Sequence, residues 1–74
     1  MIKTDPRHYK KFGKRVAALR ERAGLTQERL AEITDISYPT IRGIEQGRQF
    51  TSLGGLHRLA KALKVHPSEL LDNQ

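Results

Sequence analysis

The 74-residue sequence predicts an all-α domain of five short helices. Three observations carry that expectation. Apolar residues recur at spacings of three and four, the period of one helix face, and no stretch reads as a strand. Capping residues stand just ahead of the apolar runs. Glycines or turn-tolerant residues follow most of them.

The first helix is expected to open at Asp5-Pro6. The aspartate accepts hydrogen bonds from free helix N–H groups, and proline suits the first helical position. Phe12, Val16, Leu19 and Ala23 share one face. Gly13 weakens the interior by roughly 1 kcal/mol relative to alanine. Gly24 supplies a left-handed stop. The second helix opens at Thr26, with Leu25 and Leu30 as a hydrophobic staple across the cap. Glu28 complements the helix dipole. Leu30, Ala31 and Ile33 are its expected buried face, and it ends near Thr34. Asp35 then stands at a tight turn, and aspartate tolerates the left-handed conformation.

The third helix repeats the device, with Ser37 as cap and Ile36 and Ile41 as staple. Pro39 sits in a first turn that needs no N–H from it. Ile41 and Ile44 face inward, and Gly47 ends the helix. After the polar loop Arg48-Gln49-Phe50-Thr51, either Ser52 or Thr51 caps a fourth helix. Leu53, Leu56, Leu59, Ala60 and Leu63 form its stripe, and Gly54-Gly55 weaken its first turn. The chain turns at Lys64-Val65-His66. Pro67, Ser68 and Glu69 open a short last helix holding Leu70 and Leu71. No repeat, linker or low-complexity tract divides the chain, so residues 1–74 are expected to form one domain.

Charge supplies the first functional signal. The chain carries +6, and residues 1–22 hold eight basic residues against two acidic ones. The remainder balances, so all of the excess lies in the first segment. A polyanion is the expected partner of such an asymmetry.

Other functions find little support. The chain has no cysteine, hence no disulfide, thiolate metal site or cysteine nucleophile. This fits the reducing cytoplasm, the expected location. His8, His57 and His66 are too scattered for a metal spacing and are expected at the surface or in caps. Glu28 and Glu32 share a helix face but read as a solvated pair. Gly54-Gly55 lacks the flanking pattern of a phosphate loop. No apolar run approaches the roughly 20 residues of a membrane span, and the N-terminus lacks a signal-peptide core. Neither an enzyme nor a bound cofactor is expected.

The informative stretch is residues 26–47. Two capped, stapled helices meet at a turn of about three residues, with small Ala31 where they cross. Ile36, Ile41 and Ile44 anchor the second of them from beneath. Its first turn is left projecting, as a helix entering a major groove must be.

Leu25-Thr26-Gln27-Glu28-Arg29-Leu30-Ala31, Ile36-Ser37, Ile41-Arg42-Gly43-Ile44-Glu45-Gln46-Gly47, Ser52-Leu53 and Leu59-Ala60-Lys61-Ala62-Leu63 stand in one register. In that register the chain resembles the Cro/C1-type (XRE-like) helix-turn-helix family of phage repressors and small bacterial regulators, over about residues 12–71. The resemblance implies a compact five-helix, lambda-repressor-like domain that binds double-stranded operator DNA as a homodimer. It places Ser37, Tyr38, Pro39, Arg42 and Gly43 toward base edges and Gln27 on a phosphate. Arg48 and Gln49 fall in the loop that follows the backbone, and Arg20 and Glu45 form an ion pair between the first and third helices. Asp35 replaces the family's usual turn glycine, and Lys64 the glycine after the fourth helix.

The chemistry of these side chains sharpens some roles. Arg42 can reach guanine O6 and N7 with two hydrogen bonds, with a phosphate contact as the alternative. Tyr38 suits a base, a thymine methyl or a phosphate. Pro39 offers only apolar contact, and Ser37 is a cap first. Gln27, Thr40, Arg48 and Gln49 suit phosphates, which position without reading sequence. Val65, Leu70 and Leu71 are the expected dimer surface, with closure of the core as the alternative. The leading expectation is a sequence-specific transcriptional regulator on a palindromic operator. An antitoxin with a toxin partner and a controller of a restriction–modification operon are the alternatives.

Overall fold

The computed structural model describes residues 6–71. Five helices follow in order: α1 (Pro6–Arg22), α2 (Gln27–Thr34), α3 (Tyr38–Glu45), α4 (Leu53–Leu63) and α5 (Pro67–Leu70). Asp5, the expected cap of α1, lies outside the described residues.

The local signals decide where the helices begin. Thr26 Oγ1 accepts from the Arg29 N–H at 3.0 Å, Ser37 Oγ from Thr40 at 3.3 Å, and Ser52 Oγ from Gly55 at 3.0 Å. Ser52, not Thr51, is therefore the cap of α4. His66 caps α5: its Nδ1 accepts from the Ser68 N–H at 3.1 Å, while its own N–H donates to Glu69 at 3.1 Å. Both free donors are satisfied reciprocally.

Four helix ends share one closure. Gly24, Asp35, Gly47 and Lys64 all have positive φ, between 57° and 75°. The next residue's N–H then returns to the chain: Leu25 to Arg20 O at 3.1 Å, Ile36 to Ala31 O at 3.2 Å, Arg48 to Gly43 O at 2.9 Å and Val65 to Ala60 O at 3.0 Å. This Schellman-type bond satisfies a carbonyl the helix would otherwise orphan. Asp35 and Lys64 carry a Cβ in that conformation, at a cost of about 1–2 kcal/mol each.

One core unites the helices. α1 packs on α3, α2 on α3 and α4, and α5 on α4 and α1. Phe12, Val16, Leu30, Ile41, Ile44, Leu59 and Leu70 are among its buried members. Each fully buried side chain of this size contributes about 1.5–3 kcal/mol of transfer free energy.

Three assignments of the apolar stripes change, and one of the dimer surface. Ala23 is exposed because α1 ends at Arg22 and the chain is already turning away. Ile33 is 45% exposed and Thr34 takes its place in the core at 2%. Thr34 lies over Leu30 and Ala31 at helical spacing, whereas Ile33 lies on the flank. Burial of the threonine hydroxyl is tolerated because it donates to Leu30 O at 2.7 Å. Leu53 is 71% exposed. It is the first residue of α4, and its Cβ tilts back off the helix start. Leu70 is a core residue, so it is not free for a dimer surface; Val65 is half-buried, and of the expected trio only Leu71 is exposed.

Candidate nucleic-acid interface

α3 is gripped from behind by α1. The Ile44 carbonyl oxygen occupies the place where a Cβ on Gly13 would stand, and the Glu45 carbonyl lies 3.0 Å from it. Both are backbone atoms and have no rotamer to yield. Gly13 is thus a close-approach residue, not merely a weak helix former. Nothing in the local spacing marks it.

A part-buried polar network fixes the same end of α3. Arg20 donates to both Glu45 oxygens, at 2.7 and 3.1 Å, and to Leu25 O at 2.7 Å. The two side chains are only 13% and 6% exposed. The hydrogen bonds that Arg20 donates to Glu45 raise the Arg20 pKa, outweighing desolvation, so the guanidinium stays charged throughout physiological pH. The Gln27 amide also donates to Glu45 Oε1, at 2.9 Å. This ties the first residue of α2 to the last residue of α3. One amide N–H and the carbonyl of Gln27 are left over for other partners.

The outer face of α3 carries the reading candidates. Ser37, Tyr38, Pro39 and Arg42 are exposed. The Arg42 guanidinium carbon lies 5.7 Å from the Tyr38 ring centroid, within cation–π range. That contact narrows the rotamers of both side chains before any ligand arrives. The Ser37 hydroxyl accepts from the Thr40 N–H and donates to Thr40 Oγ1 at 2.7 Å. Ser37 is therefore engaged as a cap, while the Thr40 hydroxyl proton faces no such demand. Gly43, expected toward base edges, is instead buried, and the Gln49 side chain covers it.

Arg48 and Gln49 are exposed in the loop between α3 and α4. Phe50 holds that loop down. Its ring centroid is 4.5 Å from Phe12 and 6.0 Å from Tyr9. Aromatic contacts of this kind contribute about 0.5–1.5 kcal/mol beyond their buried area. The anchoring needs residues about forty positions apart, which local pattern does not reveal. His8 and His57 are exposed, and no group of three metal-binding side chains occurs among the described residues. None of the described helices is long and apolar enough to cross a membrane.

Comparison with known proteins settles the family. The model of the helix-turn-helix domain family matches residues 11–72. The chain belongs to the helix-turn-helix domain family. Control protein C.BamHI of Bacillus amyloliquefaciens is 37% identical over 62 residues, covering 82% of this chain and 76% of that protein. An uncharacterized HTH-type transcriptional regulator of Methanothermobacter thermautotrophicus is 48% identical over 44 residues, 60% of this chain and 64% of its own. The crystal structure of the restriction-modification controller protein C.AhdI from Aeromonas hydrophila superposes with a TM-score of 0.80 at 39% identity. It covers 84% of this chain and 94% of that one. The five-helix architecture and the DNA-binding, Cro/C1-like class of regulator expected from the motif register are those of the family. The chain is a helix-turn-helix transcriptional regulator that acts by binding DNA.

Proposed function

We propose that this regulator controls a restriction–modification operon, acting in the cytoplasm as a homodimer on a pseudo-palindromic operator. The likeness to two controller proteins supports the role. The observation that supports the mode of binding is the exposed, mutually braced Tyr38–Arg42 pair on α3. α3 of each subunit enters the major groove. Arg42 makes the bidentate guanine contact and Tyr38 packs alongside, with Ser37 and Pro39 at the edge of the contact. Gln27, Thr40 and Arg48 meet phosphates and set the register. Leu71 and the exposed flank of Val65 contribute to the dimer surface. The chain performs no catalysis.

Selection of bound sites from a random duplex pool at about 150 mM salt tests this reading. The expected product is a pseudo-palindrome with half-sites about 10 bp apart, one helical turn. Failure of the folded protein to enrich any site overturns it. Arg42→Ala is expected to weaken specific binding by about 1–3 kcal/mol and relax preference at one position. A loss that is uniform across sequences, with a shallower salt dependence, places Arg42 on a phosphate instead.

A further inference from the structure

Gly43 and Gln49 together bear on how sequence is read. Gly43 follows Arg42 on α3 and stands one turn beyond Pro39, on the helix that carries the reading side chains. It contributes no side chain of its own. The Gln49 amide oxygen occupies the place of the missing Cβ, with Cδ at 3.0 Å and Cγ at 3.1 Å from it. The loop thus lays a side chain across α3 where α3 has none.

Three further observations suit that side chain to recognition. The amide of Gln49 makes no hydrogen bond among the described residues, and the residue is exposed. The backbone is held on both sides of it, by the Arg48 N–H on Gly43 O at 2.9 Å and by the Phe50 ring on Phe12. The helix end itself is built differently from the other three of its kind. Leu25, Ile36 and Val65 follow the left-handed residue after α1, α2 and α4 and pack against or within the core. After α3 the same position is Arg48, exposed, with Gln49 next. This end of the chain is turned outward.

We propose that Gln49 is a base-reading residue, supplying from the loop the side chain that Gly43 lacks. Its planar amide carries a donor and an acceptor side by side, the pattern that matches adenine N6 and N7. This moves Gln49 from the phosphate role expected of its loop to the sequence-reading surface. The assignment rests on the proposed entry of α3 into the major groove.

The test is parallel site selection with the wild-type protein, Gln49→Ala and Gly43→Ala. A Cβ at Gly43 meets the flexible Gln49 side chain and no backbone, the amide oxygen most closely, so Gly43→Ala is expected to displace that amide and leave the fold intact, as thermal unfolding checks. Gln49→Ala is expected to lose preference at one base pair per half-site, with a drop of about fivefold or more at the selected base. Gly43→Ala is expected to lose preference at the same pair, and the double variant to lose no more than either. A Gln49→Ala protein that selects the wild-type site with undiminished preference overturns the proposal. So does one that weakens all duplexes equally, which is a phosphate contact. Should Gly43→Ala misfold, Gln49→Ala alone decides. Wild-type protein that selects no site overturns the mode of DNA binding itself, an outcome distinct from either of these.

Discussion

α2 and α3 are the same length, eight residues each, and open with the same device. A hydroxyl side chain caps each one, and a left-handed residue follows each. Their outer faces differ. On α2 the exposed Arg29 and Glu32 pair with one another, so the surface is satisfied by itself. On α3 the exposed Tyr38 and Arg42 are braced together and leave the guanidinium donors outward. Their ends differ too. After α2 the chain dives inward through Ile36, and after α3 it turns out through Arg48. One local sequence device thus builds both a scaffold helix and a presented helix. What separates them is what stands behind: α3 alone has the Gly13 backbone crossing and the Arg20–Glu45 pair.

That comparison breaks most sharply at Glu45. Glu45→Ala leaves Arg20 charged and largely buried, and removes the tie to Gln27. It is expected to cost about 3–5 kcal/mol, measured by chemical denaturation. An equivalent loss from truncating Glu32 on α2 is not expected, because exposed pairs contribute about 0–1 kcal/mol. A Glu45→Ala loss as small as that contradicts the anchoring role.

Gly13→Ala comes next. Helix propensity alone predicts a gain of about 1 kcal/mol. The crossing predicts the opposite sign, a loss of about 1–3 kcal/mol, because the added methyl meets two backbone carbonyls. The sign of the change in midpoint on thermal unfolding decides between the two.

The smallest effect sharpens the likeness rather than the difference. Thr26→Ala and Ser37→Ala are each expected to cost about 1 kcal/mol of stability, as equivalent caps. Only Ser37→Ala is expected to weaken operator binding as well, measured by titration at fixed salt. Equal binding by the two variants places the Ser37 hydroxyl outside the interface.

The helix starts and stops were legible in the sequence because each depends on a few adjacent residues. Thr26, Ser37 and Ser52 cap as expected, and Asp35 and Lys64 take the left-handed conformation where the family pattern has glycine. The flanks of the stripes were less legible. Ile33 is the more apolar residue, yet Thr34 is better placed over Leu30 and Ala31, and geometry overrides hydropathy. The exposure of Ser37, Tyr38, Pro39 and Arg42 was legible because it follows from the register of one helix. The contacts from other elements were not. Gly13 against Ile44 joins residues distant in the chain, and Gln49 over Gly43 depends on a loop whose path is set by Phe50. The Arg20–Glu45 pair was foreseen through family resemblance, but the Gln27 bond that completes it was not.

The excess positive charge lies in residues 1–22, while the side chains proposed to read sequence lie on α3 and its loop. On the proposed mode of binding, finding DNA and choosing a site fall to different elements. The field from the first segment acts over a Debye length, about 8 Å at physiological salt, and is indifferent to base sequence. It governs how often the protein meets a duplex and how long it travels along one. A lineage can therefore tune the speed of its search by exchanging lysines on α1, without rewriting the address that α3 recognises.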